Sequence, residues 1–437
     1  MFLFNKSLEY GSVSMVIEVK EKYIQLGYIP SEENDLVCEY YVEPKKISLK
    51  KAAAKIASES GIGSWADIKT LTKKHFEELA PKVFYISKKD NIIHIAYPSG
   101  LFEAGNISQI LSNVAGNVLG MSDFKSVKLL DINFPSSFIR KYIGPHYGVK
   151  GIRKILNVYK RPLLSTVVKP RVGLNEKEYA LVAHDSWIGG CDFVIDDEAL
   201  TSLPNNDFDR RIKYVFKQKK IVEKVTGEKR VYIPNISAPY SEMLRRAQVV
   251  VKSGGNFAMV NVMTVGFSAI QELRKLDLRV VLYGHKTMHA ALTSGNNGIS
   301  MLVIAKIARL IGFDMFNIGG DVEGRRKDSV VLGEEIEGQI VSKNIFEHRL
   351  QEDWLDQKPI MAVCSGGIHP GKVRKLIHAL GRDIIIQGGG SIHAHPGGTI
   401  AGAEAMKQAI DAEMLGLLPS VYAKSHPELD IALKEWD

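Results

Sequence analysis

Residues 163–200 read LLSTVVKPRVGLNEKEYALVAHDSWIGGCDFVIDDEAL. Two short apolar runs, LLSTVVK and CDFVI, flank a stretch over 178–187 with helical spacing. That is one strand–helix–strand unit, and the same texture continues toward the C-terminus. VYIPNIS, FAMVNVM, RVVLYGH, DMFNIGG, IMAVCSGG and DIIIQGGG follow in order, with helical stretches such as 241–252 and 370–380 between most of them. Eight runs alternating with helices predict a (β/α)₈ barrel, and an open doubly wound sheet explains the count less well. After Ala401 the pattern reads as helices.

The segment before the barrel has a different rhythm. DLVCEYYVEP reads as a strand that stops at a proline, and 47–59 has helical spacing. KVFYISKKDNIIHIAYP reads as two strands around a polar KKDN turn. A second helix over 107–119 and a last strand over 127–134 complete the order strand, helix, strand, strand, helix, strand. That order predicts a ferredoxin-like α+β domain. The expected division is an extension over 1–21, the ferredoxin-like domain over 22–145, and the barrel with C-terminal helices over 146–437.

Composition narrows the class. Hydrophobic residues make up 45% and charged residues 24% of the 437, as in ordinary globular proteins. No apolar run approaches a membrane span, and the start MFLFNKSLEYGS has too short an apolar core for a secretory signal. Cys38, Cys191 and Cys364 lie far apart, so neither a disulfide framework nor a paired-cysteine metal site is expected. The expectation is a cytoplasmic protein. The net charge of +8 is spread along helix-like stretches without interleaved aromatics, which argues against nucleic acid and suits an anionic small substrate.

A barrel of this kind places its site at the C-terminal ends of the strands. The runs end, in order, at Lys169, at Asp197 and Glu198, near Asn235, near Asn261, at His285 and Lys286, at Asn317, at Ser365-Gly366-Gly367, and at Gly388-Gly389-Gly390. Packing alone gives no reason for a polar or glycine terminus on every strand. Asp197 and Glu198 offer the hard oxygens that Mg²⁺ prefers. Asp196 has the opposite strand parity and is left outside the site. The two glycine turns let backbone N–H groups approach a phosphate closely. Lys169 reads either as a general base or as the salt-bridge partner of the next strand's carboxylates. His285 is preferred to His289 as the second proton-transfer candidate.

These motifs, in this order, resemble the RuBisCO large subunit, with the archaeal form III branch nearest. The resemblance runs from about Gly27 to the C-terminus and rests on SESGIGSW, VAGNVLGM, VVKPRVGL, GGCDFVIDDEAL, GHKTMHAAL, SGGIHPG and QGGGSIHAHPGG. It implies a homodimer, or an oligomer of dimers, in which Glu59, Ser64, Trp65 and Asn117 complete the neighbour's active site. It assigns Lys169 to proton transfer, with Arg171 where a second lysine is usual and Lys286 where an arginine is usual. It also implies departures. Ile195 stands where carboxylating members have the lysine whose carbamate is the third Mg²⁺ ligand. Asp321 stands where the sixth loop has a lysine, and Asn317 where that strand has a histidine. On these departures the expected function is a RuBisCO-like protein without carboxylase activity. It would bind a phosphorylated sugar-like substrate and catalyse enolisation or isomerisation with a weakly held Mg²⁺. The alternatives are a sugar-phosphate-binding protein without activity and a divergent form III ribulose bisphosphate carboxylase.

Overall fold

The structure is a computed structural model that describes residues 22–63, 68, 70–320, 322, 350 and 352–436. Ser64, Trp65, Asp321 and the extension over 1–21 lie outside the described residues.

The smaller domain is built on four antiparallel strands: β1 (Asp35–Pro44), β2 (Lys82–Ser87), β3 (Ile92–Pro98) and β4 (Phe124–Asn133). Their spatial order, β4-β1-β3-β2, is that of a ferredoxin-like sheet. The hairpin from β2 to β3 turns at Asn91, which adopts φ 58°, a conformation asparagine tolerates better than most residues. Helix Leu49–Glu59 is capped by Ser48, whose side chain accepts the Lys51 N–H. It buries Leu49, Ala52, Ala53 and Ile56. The helix expected over 107–119 ends at Ala115, because Gly116 leaves helical geometry and a short 3₁₀ turn, Asn117–Gly120, follows.

The larger domain is an eight-stranded parallel sheet. Its strands are β5 (Leu163–Val167), β6 (Phe193–Ile195), β7 (Val231–Ile233), β8 (Phe257–Asn261), β9 (Val281–His285), β11 (Met315–Asn317), β12 (Met361–Cys364) and β13 (Ile384–Gly388). They neighbour one another in the order β7-β6-β5-β13-β12-β11-β9-β8. The parallel bridge between Asn235 and Met259 joins the two ends and closes the barrel. All eight apolar runs of the sequence are therefore barrel strands.

Alternation along each strand separates two cores. Leu163, Val167, Phe193, Ile195, Val231, Ile233, Phe257, Met259, Tyr283, Met315, Val363 and Ile385 fill the barrel interior. Leu164, Val194, Tyr232, Ala258, Phe316, Ala362 and Ile386 face the helix layer instead. Side chains two apart on a strand share a face, so each strand's inward series can be followed to its end.

One strand was not foreseen. β10 (Asn297–Ile299) lies between barrel strands in the chain but adds in parallel to the edge of β4 in the smaller domain. Nearby, the fully buried Lys306 on helix Met301–Ile311 pairs with Asp131 of β4 at 2.7 Å. The two domains are thus joined by a shared sheet and a buried ion pair. Among the described residues no helix is long and apolar enough to cross a membrane.

Candidate functional site

The inward series of every barrel strand ends in a polar residue or a glycine. Beyond Val167 comes Lys169, beyond Ile195 comes Asp197, and beyond Ile233 comes Asn235. The same alternation gives Asn261, His285, Asn317, Ser365 and Gly389 on the other five strands. One ring at the C-terminal mouth therefore holds Lys169, Asp197, His285, Ser365 and Gly389 from the expected site. It also holds three asparagines that the sequence shows at strand ends without a role.

Asp197 is the buried centre of this ring, with its side chain 2% exposed. Lys169 Nζ donates to its Oδ2 at 2.8 Å. The Ala199 N–H donates to Oδ1 at 3.0 Å, and Arg171 Nε lies 3.5 Å from the same oxygen. The salt-bridge reading of Lys169 is the contact present. Glu198 is held through its carbonyl, which accepts from Asn235 Nδ2 at 3.1 Å and Asn261 Nδ2 at 2.8 Å. Its charge helps raise the Tyr283 hydroxyl's pKa, after the larger effect of burial. Ile195, fully buried, packs in the apolar interior one inward step below Asp197.

This donor set does not fit a divalent cation as arranged. Mg²⁺ takes oxygen ligands at about 2.0–2.1 Å. Both Asp197 oxygens instead face N–H donors, and the inward neighbour is a hydrocarbon. Among the described residues no group of three histidine, cysteine or carboxylate side chains could hold a metal ion.

Asp196 points the other way. Its carboxylate accepts from Tyr179 Oη at 2.6 Å, Tyr232 Oη at 2.7 Å, Arg211 Nη2 at 3.1 Å and the Asn235 N–H at 2.9 Å. Burial, and then the Asp196 charge, push both tyrosine hydroxyls well above their usual pKa. This cluster braces the strand ends from behind.

On the opposite wall, Asn317 joins three strands. Its Oδ1 accepts from Ser365 Oγ at 3.0 Å and from the Gly319 N–H at 3.1 Å, while Nδ2 donates to Tyr283 Oη at 3.0 Å. Gly366 and Gly367 follow with φ 97° and 63°, conformations that favour glycine. The second glycine turn, Gly388-Gly389-Gly390, lies on the adjoining strand, and a Cβ on Gly389 would sit 3.8 Å from Lys169 Cε. Beneath it, Gly402 packs so closely that an added Cβ would lie 2.0 Å from the Ile392 carbonyl oxygen. Gly402→Ala is expected to cost about 1–3 kcal/mol by overpacking. It should also displace the turn and weaken phosphate affinity. Thermal melts with and without inorganic phosphate check this, and an unchanged melting temperature would contradict the packing described.

Two histidines sit at the mouth. Burial pushes His285 down to about 4, against a smaller opposing pull from Asp197. Its Nδ1 accepts the Thr287 N–H at 3.2 Å, so the proton resides on Nε2. His393, which lies past the strand end in QGGGSIHAHPGG and carries no parity signal in the sequence, is also pushed by burial to about 4. It pairs with Thr166 Oγ1 at 3.1 Å and Thr399 Oγ1 at 3.1 Å. His289 pairs with Thr293. Both depressed histidines bind their protons more readily in the unfolded chain, where the ordinary value is about 6.5. Stability contributed by the neutral rings is thus present above about pH 6.5 and is lost as pH falls toward 4. Melting temperatures across that window should fall, and His393→Gln should flatten the slope.

Of the remaining expected residues, Lys286 contributes positive charge beside His285. Glu59 and Asn117 pair with each other at 3.2 Å on the exposed face of the smaller domain. Within this single chain they do not join the barrel ring. Two buried amide oxygens on barrel strands, Asn261 Oδ1 and Gln387 Oε1, have no hydrogen-bond partner among the described residues. Gln387 has the inward parity of Ile385.

Comparison with known proteins agrees with this architecture. Residues 148–436 match the ribulose bisphosphate carboxylase large chain catalytic domain, and residues 22–138 match its N-terminal domain. The chain is 42% identical over 425 residues to a ribulose bisphosphate carboxylase of Methanocaldococcus jannaschii, covering 95% of this chain and 99% of the relative. It is 41% identical over 428 residues to that of Pyrococcus abyssi, covering 97% and 98%. Among solved structures it is similar to a dimeric archaeal Rubisco from Hyperthermus butylicus, with a TM-score of 0.90 and 35% identity over 96% and 99% of the two chains. It is also similar to an octameric Rubisco from Pyrococcus horikoshii, with a TM-score of 0.87 and 39% identity over 96% and 97%. These relatives overturn the expectation of a non-carboxylating enolase or isomerase. That expectation weighed a few substituted positions above the full-length likeness, and the relatives favour the carboxylase alternative.

Proposed function

Because this chain belongs to the ribulose bisphosphate carboxylase large-chain family, we propose that it is a divergent carboxylase acting on ribulose bisphosphate. The observation that carries this reading is similarity at about 40% identity, over nearly the whole length, to proteins named for that activity. The phosphorylated ligand expected at the two glycine turns is then the bisphosphate itself. Ser365, Gly366 and Gly367 would take one phosphate, and Gly388, Gly389 and Gly390 the other. Lys169 is our assignment for proton transfer. It stands at the mouth, half-exposed, and Asp197 fixes its ammonium position. Lys286 and Arg171 add positive charge that favours the anionic substrate. His285, neutral at physiological pH, serves as a hydrogen-bond donor through Nε2.

Ile195 and Asp321 remain the departures that the family resemblance assigns, so carboxylation here would proceed without a carbamate at position 195. The assembly in this reading is a homodimer or an oligomer of dimers, as the dimeric and octameric structural relatives support. Glu59 and Asn117 would then face the partner's barrel mouth. Phosphorus NMR tests the substrate assignment. In oxygen-free buffer, ribulose bisphosphate should be consumed by the protein only when CO₂ is supplied. Unchanged substrate, or consumption that ignores CO₂, would contradict the reading.

A further inference from the structure

We propose that Arg171, together with Lys169, supplies at Asp197 the positive charge for which a metal-dependent site uses a divalent cation. A bisphosphate would then bind here without one. This rests on the reading of the barrel mouth as a ribulose bisphosphate site.

Three observations carry the inference. First, the carboxylate that a metal would need is already satisfied. Asp197 Oδ2 takes Lys169 Nζ at 2.8 Å, and Oδ1 takes the Ala199 N–H at 3.0 Å with Arg171 Nε at 3.5 Å. A cation at Asp197 would have to break these contacts in a place where the side chain is 2% exposed and water cannot replace them. Second, the inward residues in register with Ile195 are Val167 and Ile233, so the layer beneath Asp197 offers no oxygen. The main-chain oxygens of Asp197 and Glu198 are also engaged, by Asn235 and Asn261. Third, among the described residues Lys169 and Arg171, both beside Asp197, already balance the two carboxylates of Asp197 and Glu198, so no net negative charge is left to hold a dication.

Arginine suits this role better than a second lysine. Its guanidinium stays charged at any working pH, so Asp197 keeps a partner whichever protonation state Lys169 passes through. Ile195 then closes the floor of the site as packing rather than as a lost ligand.

The test uses full-length protein in two measurements. Calorimetric titration with ribulose bisphosphate is run after EDTA treatment and again in excess Mg²⁺. The dissociation constants should agree within about twofold. Arg171→Ala should weaken binding in EDTA by about tenfold or more, with Arg171→Lys recovering part of the loss. Tightening of about tenfold or more by Mg²⁺ would overturn the inference while leaving the substrate assignment standing. Absence of binding under both conditions would overturn both. In the second measurement, electron paramagnetic resonance follows Mn²⁺ added to the free protein. The free-ion signal should persist. Its loss, with recovery in Asp197→Asn, would overturn the inference whatever the bisphosphate does.

Discussion

Asp196→Ala is expected to destabilise the barrel by about 3–5 kcal/mol, the cost of leaving a buried partner charge uncompensated. Arg211 is fully buried, and its guanidinium reaches Asp196, the Asn206 side chain, the Thr201 carbonyl and Tyr232. Removing the carboxylate strands that cation and takes from the Tyr179 and Tyr232 hydroxyls their short acceptor. It also frees the Asn235 N–H at the end of β7. Asn235 in turn holds the Glu198 carbonyl, so the variant should loosen the mouth as well as the core. Asp196→Asn keeps the shape without the charge and should fall between the two. Denaturant melts measure both variants. A cost under about 1 kcal/mol for the alanine variant, typical of an exposed pair, would contradict the buried network.

Lys169→Met is expected to lower turnover by about 10²–10⁴-fold, the usual contribution of a positioned proton-transfer group. The variant keeps much of the side chain's length and removes the ammonium. Asp197 would retain Arg171 and the Ala199 N–H, so the mouth should stay assembled and bisphosphate affinity should change far less than turnover. Lys169→Arg separates charge from proton transfer. Arginine preserves the ion pair but does not release its proton at working pH. Both variants should therefore be comparably slow under steady-state kinetics. An active arginine variant would reduce Lys169 to a structural partner of Asp197.

The fold was legible because its signal is periodic. Eight apolar runs became eight barrel strands, and the parity that places Asp197 inward and Asp196 outward is the parity of the two cores. β10 was not legible, because three residues reading NGI carry no alternation and pair with a strand far away in the chain. The helix ending at Ala115 was overextended, since a helical apolar pattern continues through Gly116 although the backbone does not. In the site, the polar strand ends could be read, but their partners could not. Asn317 presents itself as one strand terminus, and only the closed barrel brings it to Ser365 and Tyr283. His393 lies past the strand end, where parity no longer constrains direction. Its contact with Thr166 follows from the turn at Gly389 and Gly390. Functional inference from Ile195 had a different weakness. A single inward side chain describes local chemistry, and the full-length likeness to carboxylases outweighed it.

Fixation of labelled CO₂ tests the central claim most directly. Purified protein is incubated with ribulose bisphosphate and ¹⁴C-bicarbonate, quenched in acid, and counted, with Lys169→Met as the control. The account predicts acid-stable label that depends on ribulose bisphosphate and is lost in the control. Acid-stable counts no higher than those of the control would contradict it.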